Sequence, residues 1–259
     1  YKGMNFLVRF AVFGGVFDTV HKGHIRAAEI VDSCLHPDVL LFVPAGRPPH
    51  KRGRRINTCA DRLNMLKIAV ENAFGNRAVV CDFEVNSSEL SYTANTLAHL
   101  KAVYGSDSEH FFAIGADNIA KFRTWHRPDI IRALSTLAVV ARPGFDQSSA
   151  KLAFPESVIC EGESVRISST FIRRLASEGQ DFSQYLPEGV DEYIKKRGLY
   201  PKEVTDPEEI KRFLSAHVKE PRIKHTLNVR DEAVKLAQKY GADARKAEIA
   251  ALIHDVAKN

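Results

Sequence analysis

The 259-residue chain carries 44% hydrophobic and 27% charged residues and a formal net charge of +5, the composition of a globular protein rather than a disordered one. That length accommodates one large domain, or one domain with a small companion. No apolar run approaches the roughly 18 to 20 residues of a membrane helix and no secretory leader opens the chain, so a membrane is excluded as a partner and a cytoplasmic location is expected.

An apolar run from Phe6 to Phe13 reads as a strand and leads into Gly14-Gly15-Val16-Phe17-Asp18-Thr19-Val20-His21-Lys22-Gly23-His24, with a helical pattern from about Lys22 to Cys34. A strand, a glycine turn and a helix start offer an anion free N–H groups and a positive dipole end, and Gly14 and Gly15 permit positive φ and close backbone approach. His21 and His24, three residues apart, share a helical face and can converge on one phosphate. Taken alone, two histidines beside glycines are as readily a polar turn.

Asp38 to Val43 follows as a short apolar strand ended by Pro44. The next loop holds Arg47, Lys51, Arg52, Arg54 and Arg55, the one place where basic residues gather. The rest of the basic excess is spread along the chain, so nucleic acid is not an expected partner. A helix from about Thr58 to Phe74 places Leu63, Leu66, Ala69, Val70 and Ala73 on one face. Then come a strand (Val79 to Val85), a helix (Thr93 to Tyr104), a strand (Phe111 to Ile114), a turn at Gly115 to Asp117 and a strand (Leu137 to Ala141). Alternating strands and helices predict an α/β fold, an open parallel sheet with helices on both faces and ligands at the carboxyl ends of the strands. The turns at 14–24, 44–51, 86–93, 115–125 and 142–144 are therefore the candidates for chemistry. Ser91, Tyr92 and Thr93 bring hydroxyls and a ring to one, and Asp117 a carboxylate to another. Tyr92 and Trp125 form an aromatic pair able to hold a flat ring, against the plainer reading of Trp125 as packing.

Ser168, Ser169 and Thr170 precede a helix containing Phe171, Ile172, Arg173 and Leu175. They read equally as a capped helix or as a second phosphate cradle at a helix N-terminus. The scattered cysteines Cys34, Cys59, Cys81 and Cys160 lack metal spacing and read as reduced, mostly buried thiols.

These motifs occur in one order: Gly14 to His24, Pro48-Pro49-His50-Lys51, Ser91-Tyr92-Thr93 with Thr96-Leu97, Ile114-Gly115 with Asp117, Phe122 to Trp125, Ile167-Ser168-Ser169-Thr170 with Arg173, and Tyr193 to Tyr200. In that order they resemble the bacterial nicotinate-nucleotide adenylyltransferases of the H-x-G-H nucleotidyltransferase superfamily, over roughly the first 200 residues. Thr19 stands where proline is usual, which is expected to loosen the turn without altering the chemistry. The resemblance implies a Rossmann-like domain over 1–200 that transfers the adenylyl group of ATP to nicotinate mononucleotide, giving deamido-NAD and pyrophosphate. It implies His21, His24 and Arg173 as catalytic residues, and Gly14, Gly15, Phe17, Asp117, Ser168 and Ser169 as ATP-binding ones. It implies Lys51, Tyr92, Thr93 and Trp125 at the mononucleotide, with magnesium arriving on ATP. Phosphopantetheine adenylyltransferase is the nearest alternative, and side chains alone do not separate nicotinate from nicotinamide.

From Tyr200 the punctuation changes, with Pro201, Pro207, Glu208 and Glu209 before amphipathic stretches at Thr226 to Tyr240 and Ala244 to Ala257. His225 and His254-Asp255 resemble the front of an HD-type metal-dependent phosphohydrolase, giving a second, all-α domain over 201–259. The resemblance implies His225, His254 and Asp255 as an incomplete metal set, iron or manganese belonging to a complete one. It leaves a bifunctional protein as the alternative function. Self-association into a homo-oligomer is left open.

Overall fold

The computed structural model describes residues 7–49, 56–141, 145–201 and 206–254. The chain divides into two compact units, Tyr1–Pro201 and Lys202–Asn259. The first alternates strands and helices: β1 (Arg9–Gly15), α1 (Lys22–Leu35), β2 (Val39–Pro44), α2 (Cys59–Phe74), β3 (Ala78–Val80), α3 (Phe83–Asn86), α4 (Thr93–Tyr104), β4 (Glu109–Gly115), α5 (Ala116–Ile119), α6 (Pro128–Leu134), β5 (Thr136–Val140), α7 (Gln147–Ala153), β6 (Val158–Cys160), α8 (Ser169–Ser177) and α9 (Val190–Arg197).

The described strands form one six-stranded sheet in the order β3-β2-β1-β4-β5-β6, parallel throughout. Strand residues alternate between two cores, as a sheet buried on both faces requires. Ala11, Phe13, Leu40, Phe42 and Phe111 meet α1, α2 and α9 on one face. Phe10, Val12, Leu41, Val43 and Phe112 meet α4 and α6 on the other. The open parallel sheet with helices on both faces is thus the one expected. β1 lies between β2 and β4, so the winding reverses beside it and opens a crevice at the carboxyl ends.

Three expectations are corrected. The strand expected over Val79 to Val85 stops at Val80, and Phe83–Asn86 turns into a short helix. Glu84 then points inward, with its carboxyl taking the Thr96 hydroxyl. On α2 the buried face is Asp61, Arg62, Met65, Leu66, Ala69 and Val70, while Leu63 is half-buried and Ala73 exposed. Two charged residues occupy the core register because each finds polar partners there. Of the cysteines, only Cys160 is buried, and Cys34 is exposed.

The second unit holds α10 (Pro207–His217), α11 (Glu220–Tyr240) and α12 (Ala244–Ile253). Asp206 and Asp243 cap the first and last of these through the amides of Glu208 and Lys246, and Ile210, Leu214 and Leu252 form its core. The residues expected to extend the last helix to Ala257 lie outside the described ones from 255 onward. No helix among the described residues is long and apolar enough to cross a membrane.

Gly46 follows β2, where a Cβ would lie 2.0 Å from the carbonyl oxygen of Glu84. Both groups are backbone, so neither can swing aside. Gly46→Ala is expected to cost about 2 kcal/mol or more through overpacking, read as a lower denaturation midpoint of the first unit; an unchanged midpoint would refute the close approach.

Candidate active site

The turn between β1 and α1 is where glycine, histidine and helix terminus meet. Gly14 and Gly15 do not use the positive φ open to glycine; Phe17 adopts it, at 50°. Gly15 is required instead for space, since a Cβ there would lie 3.0 Å from the Phe17 ring. That ring is 4% exposed and meets His24 edge-on, with centroids 5.1 Å apart.

His21 is the N-cap of α1 and His24 its third residue. The His21 amide donates to Nδ1 of His24 at 3.2 Å, which leaves the His24 ring proton on Nε2. The two imidazoles stack with centroids 3.7 Å apart. Gly23 makes this possible: a Cβ there would stand 3.0 Å from Nδ1 of His21. Burial pushes the His21 imidazole down to about 4. Burial, and then the charge of His21, hold His24 well below its ordinary value. The Nδ1 of His21 is buried without a hydrogen-bond partner among the described residues.

A second helix start approaches the same turn. Ser168 caps α8, its Oγ accepting from the Phe171 amide at 3.2 Å, and Ser169 Oγ donates to the Thr19 carbonyl at 3.0 Å. Arg173 donates to the Asp18 carbonyl and to Thr170 Oγ1 at 3.2 Å. The capping reading thus holds for Ser168, and Ser169 ties the start of α8 to the turn. Neither α1 nor α8 has an acidic residue in its first turn, which leaves both positive helix ends uncompensated. Thr19 does not loosen the turn: it is fully buried, with its hydroxyl 3.1 Å from the Val20 carbonyl and 3.3 Å from Met65 Sδ.

Between these groups lies a cleft of about 610 Å³ lined by Gly14, Phe17, His21, Gly23, His24, Ser168 and Ser169, with Ile114, Gly115 and Asn118 from the carboxyl end of β4. Polar groups converging beside aromatic and aliphatic side chains suit a nucleotide. Asp117 does not line it; its exposed neighbour Asn118 does. Asn118 escaped the sequence reading because a one-turn helix carries no periodic signal.

The turn at 86–93 makes a separate cluster. Tyr92 is the N-cap and Thr93 the first residue of α4. Tyr92 stacks on His126 at 4.1 Å. Trp125 is half-buried and packs on Phe112 at 6.0 Å and Phe122 at 5.6 Å. Neither ring, nor Thr93, lines the cleft of the histidines. Ser91 Oγ accepts from the Arg47 amide at 3.0 Å. Burial raises the Glu84 carboxyl beside it, opposed by the Thr96 and Ser91 hydroxyls.

Lys51, the turn at 142–144 and Asp255 lie outside the described residues. No group of three metal-ligating side chains occurs among the described residues. In the second unit the His225 and His254 rings stand 5.9 Å apart, two of the three expected ligands and short of a centre on their own.

The cytidylyltransferase-like family matches residues 12–175, and the HD domain family matches residues 222–259. A Dehalococcoides mccartyi relative named "Probable nicotinate-nucleotide adenylyltransferase" is 36% identical over 208 residues, covering 74% of this chain and 97% of its own. A Desulfitobacterium hafniense relative of the same name is 37% identical over 201 residues, covering 74% and 95%. The solved Plasmodium falciparum nicotinic acid mononucleotide adenylyltransferase complexed with NaAD shares the fold at a TM-score of 0.65 and 19% identity, covering 74% of this chain and 97% of that one.

The buried histidines give stability a pH dependence. His21 falls from an ordinary 6.5 to about 4 on folding, and His110 does likewise, so the unfolded chain binds more protons between those values. Stability is full above about pH 6.5 and falls as pH drops toward 4, by about 3 kcal/mol for His21 alone. Unfolding free energies measured across that range should show a shallower fall in His21→Asn; an identical slope would refute the burial of a neutral ring.

Proposed function

The chain belongs to the cytidylyltransferase-like family and, within it, to the nicotinate-nucleotide adenylyltransferases, and on that premise we propose how its first unit transfers the adenylyl group of ATP to nicotinate mononucleotide. The products are deamido-NAD and pyrophosphate. The observation that carries the reading is the meeting of two uncompensated helix starts and a stacked, neutral imidazole pair at one cleft.

The mononucleotide phosphate attacks the α-phosphorus in line; a new P–O bond forms as the bond to the β-phosphate oxygen breaks, and pyrophosphate leaves with the electron pair. Such a transfer needs positioning and charge stabilisation more than an acid or a base. His24 offers its Nε2 proton to a phosphate oxygen, and the desolvation that keeps it neutral also keeps competing water away. Arg173, held by the Asp18 carbonyl and Thr170, presents its cation without having to be ordered first. Ser168 and Ser169 add hydroxyls at the start of α8. Magnesium would enter as part of the ATP complex and neutralise charge on its phosphates. Tyr92, Thr93 and Trp125 are assigned to the nicotinate end, with the 86–93 turn as their frame, and Asp117 and Lys51 to nucleotide and phosphate.

Pyrophosphate release from ATP with each acceptor in turn tests the substrate: kcat/KM is expected to favour nicotinate over nicotinamide mononucleotide, and equal values would contradict the assignment. His24→Ala should lower kcat about a hundredfold or more in a folded protein, whereas near-normal turnover would remove His24 from the mechanism. Trp125→Ala is expected to raise KM for the mononucleotide far more than for ATP; equal rises, with a lowered Tm, would return Trp125 to a packing role.

A further inference from the structure

The closing segment of the first unit, Tyr193 to Tyr200, has no part in the transfer as described. We infer that Tyr200 is a positioning residue for that reaction: its hydroxyl fixes Asp18, and through Asp18 the turn that carries the phosphate-binding groups. The inference rests on the adenylyl-transfer reading above.

The segment is anchored twice. Tyr193 and Arg197 on α9 donate to Oδ1 of the buried Asp61 on α2, at 2.9 Å and 3.1 Å. Gly198 reverses the chain at φ 59°, and Tyr200 itself sits at φ 54°, a left-handed conformation that bulky side chains rarely adopt. Such a conformation persists where the surroundings over-determine it. Here it aims the hydroxyl back under the turn, where it donates to Asp18 Oδ1 at 2.6 Å. Asn57 donates to the same oxygen at 3.0 Å, and Asp18 is 4% exposed. Burial, then the Asp18 carboxylate, raise the Tyr200 hydroxyl above its ordinary value, so it remains a donor.

The geometry separates this contact from a simple tether. The main-chain carbonyl of Asp18 takes the Arg173 guanidinium, and the carbonyl of the next residue takes Ser169. Tyr200 and Arg173 thus hold opposite ends of one residue. Releasing the side chain lets the carbonyl rotate and the cation drift. Tyr193 anchors the same segment but reaches Asp61, whose hydrogen bonds among the described residues run to Thr58, Tyr193 and Arg197, none of which lines the cleft.

The test compares Tyr200→Phe with Tyr193→Phe in the full chain, by pyrophosphate release with ATP and nicotinate mononucleotide. Tyr200→Phe is expected to lower kcat about tenfold and raise KM for ATP several-fold, with KM for the mononucleotide within about twofold. Tyr193→Phe should lower Tm while leaving these constants within about twofold of wild type. Asn57→Ala, which removes the second donor to the same oxygen, should move the constants the same way by about threefold, and serves if Tyr200→Phe does not fold. In an Asp18→Asn background the Tyr200 substitution should add little, the coupling expected of two groups in one contact. Equal constants for the Tyr200 and Tyr193 variants, or full additivity with Asp18→Asn, would overturn the inference. A wild-type chain that turns over no pyridine mononucleotide would sink the functional reading instead. The clamp would then be judged on ATP affinity by calorimetry, several-fold weaker in Tyr200→Phe if it exists and unchanged if it does not.

Discussion

The chain between β1 and α1 makes neither a strand ladder nor a helix, so its carbonyls need partners from elsewhere. They find them one by one. Val16 O accepts from Arg62 at 2.7 Å, Asp18 O from Arg173, Thr19 O from Ser169 at 3.0 Å and Val20 O from the Thr19 hydroxyl at 3.1 Å. An irregular segment is held rigid by side chains drawn from α2 and α8. This constraint fixes the start of α1, where the stacked imidazoles sit.

Arg62 shows what that arrangement costs. Its guanidinium is fully buried and spends its donors on the carbonyls of Asn57, Val16 and Gly46 and on Cys59 Sγ. A buried cation with several good hydrogen bonds is tolerated, whereas one losing them is strongly destabilising. The arginine ties the H-x-G-H turn to the turn after β2, and Gly46 admits the Glu84 backbone on the other side. Carboxyl ends of neighbouring strands are thereby locked together, and the crevice they frame is preformed.

Much of the fold was legible because it follows from burial. The apolar runs of β1, β2, β4 and β5 are what a sheet covered on both faces must contain, and α4 runs from Thr93 to Tyr104 as its spacing predicts. What the sequence hid was polar and local. Arg62 and Asp61 sit at core register on α2 although their charge marks them for solvent, and only the assembled turn supplies their partners. β6 is three residues long, too short for any period. Gly15 was readable as a special position, but a Cβ there would crowd the Phe17 ring, as one at Gly23 would crowd His21, which no φ-based argument reaches. Tyr92 and Trp125 each rest on another ring, His126 for the first and Phe112 and Phe122 for the second, neighbours that no spacing in the sequence indicated.

On the proposed reaction a polyphosphate binds against a histidine pair that burial keeps neutral until the anion arrives. Calorimetry of magnesium-ATP binding to the full chain near neutral pH, repeated in buffers of different ionisation enthalpy, reads it directly. An anion placed against the pair offsets the desolvation that holds both rings deprotonated. The account therefore predicts net proton uptake on binding, reduced in His21→Asn. Binding with no proton uptake, unchanged by that substitution, would place the phosphates elsewhere and contradict it.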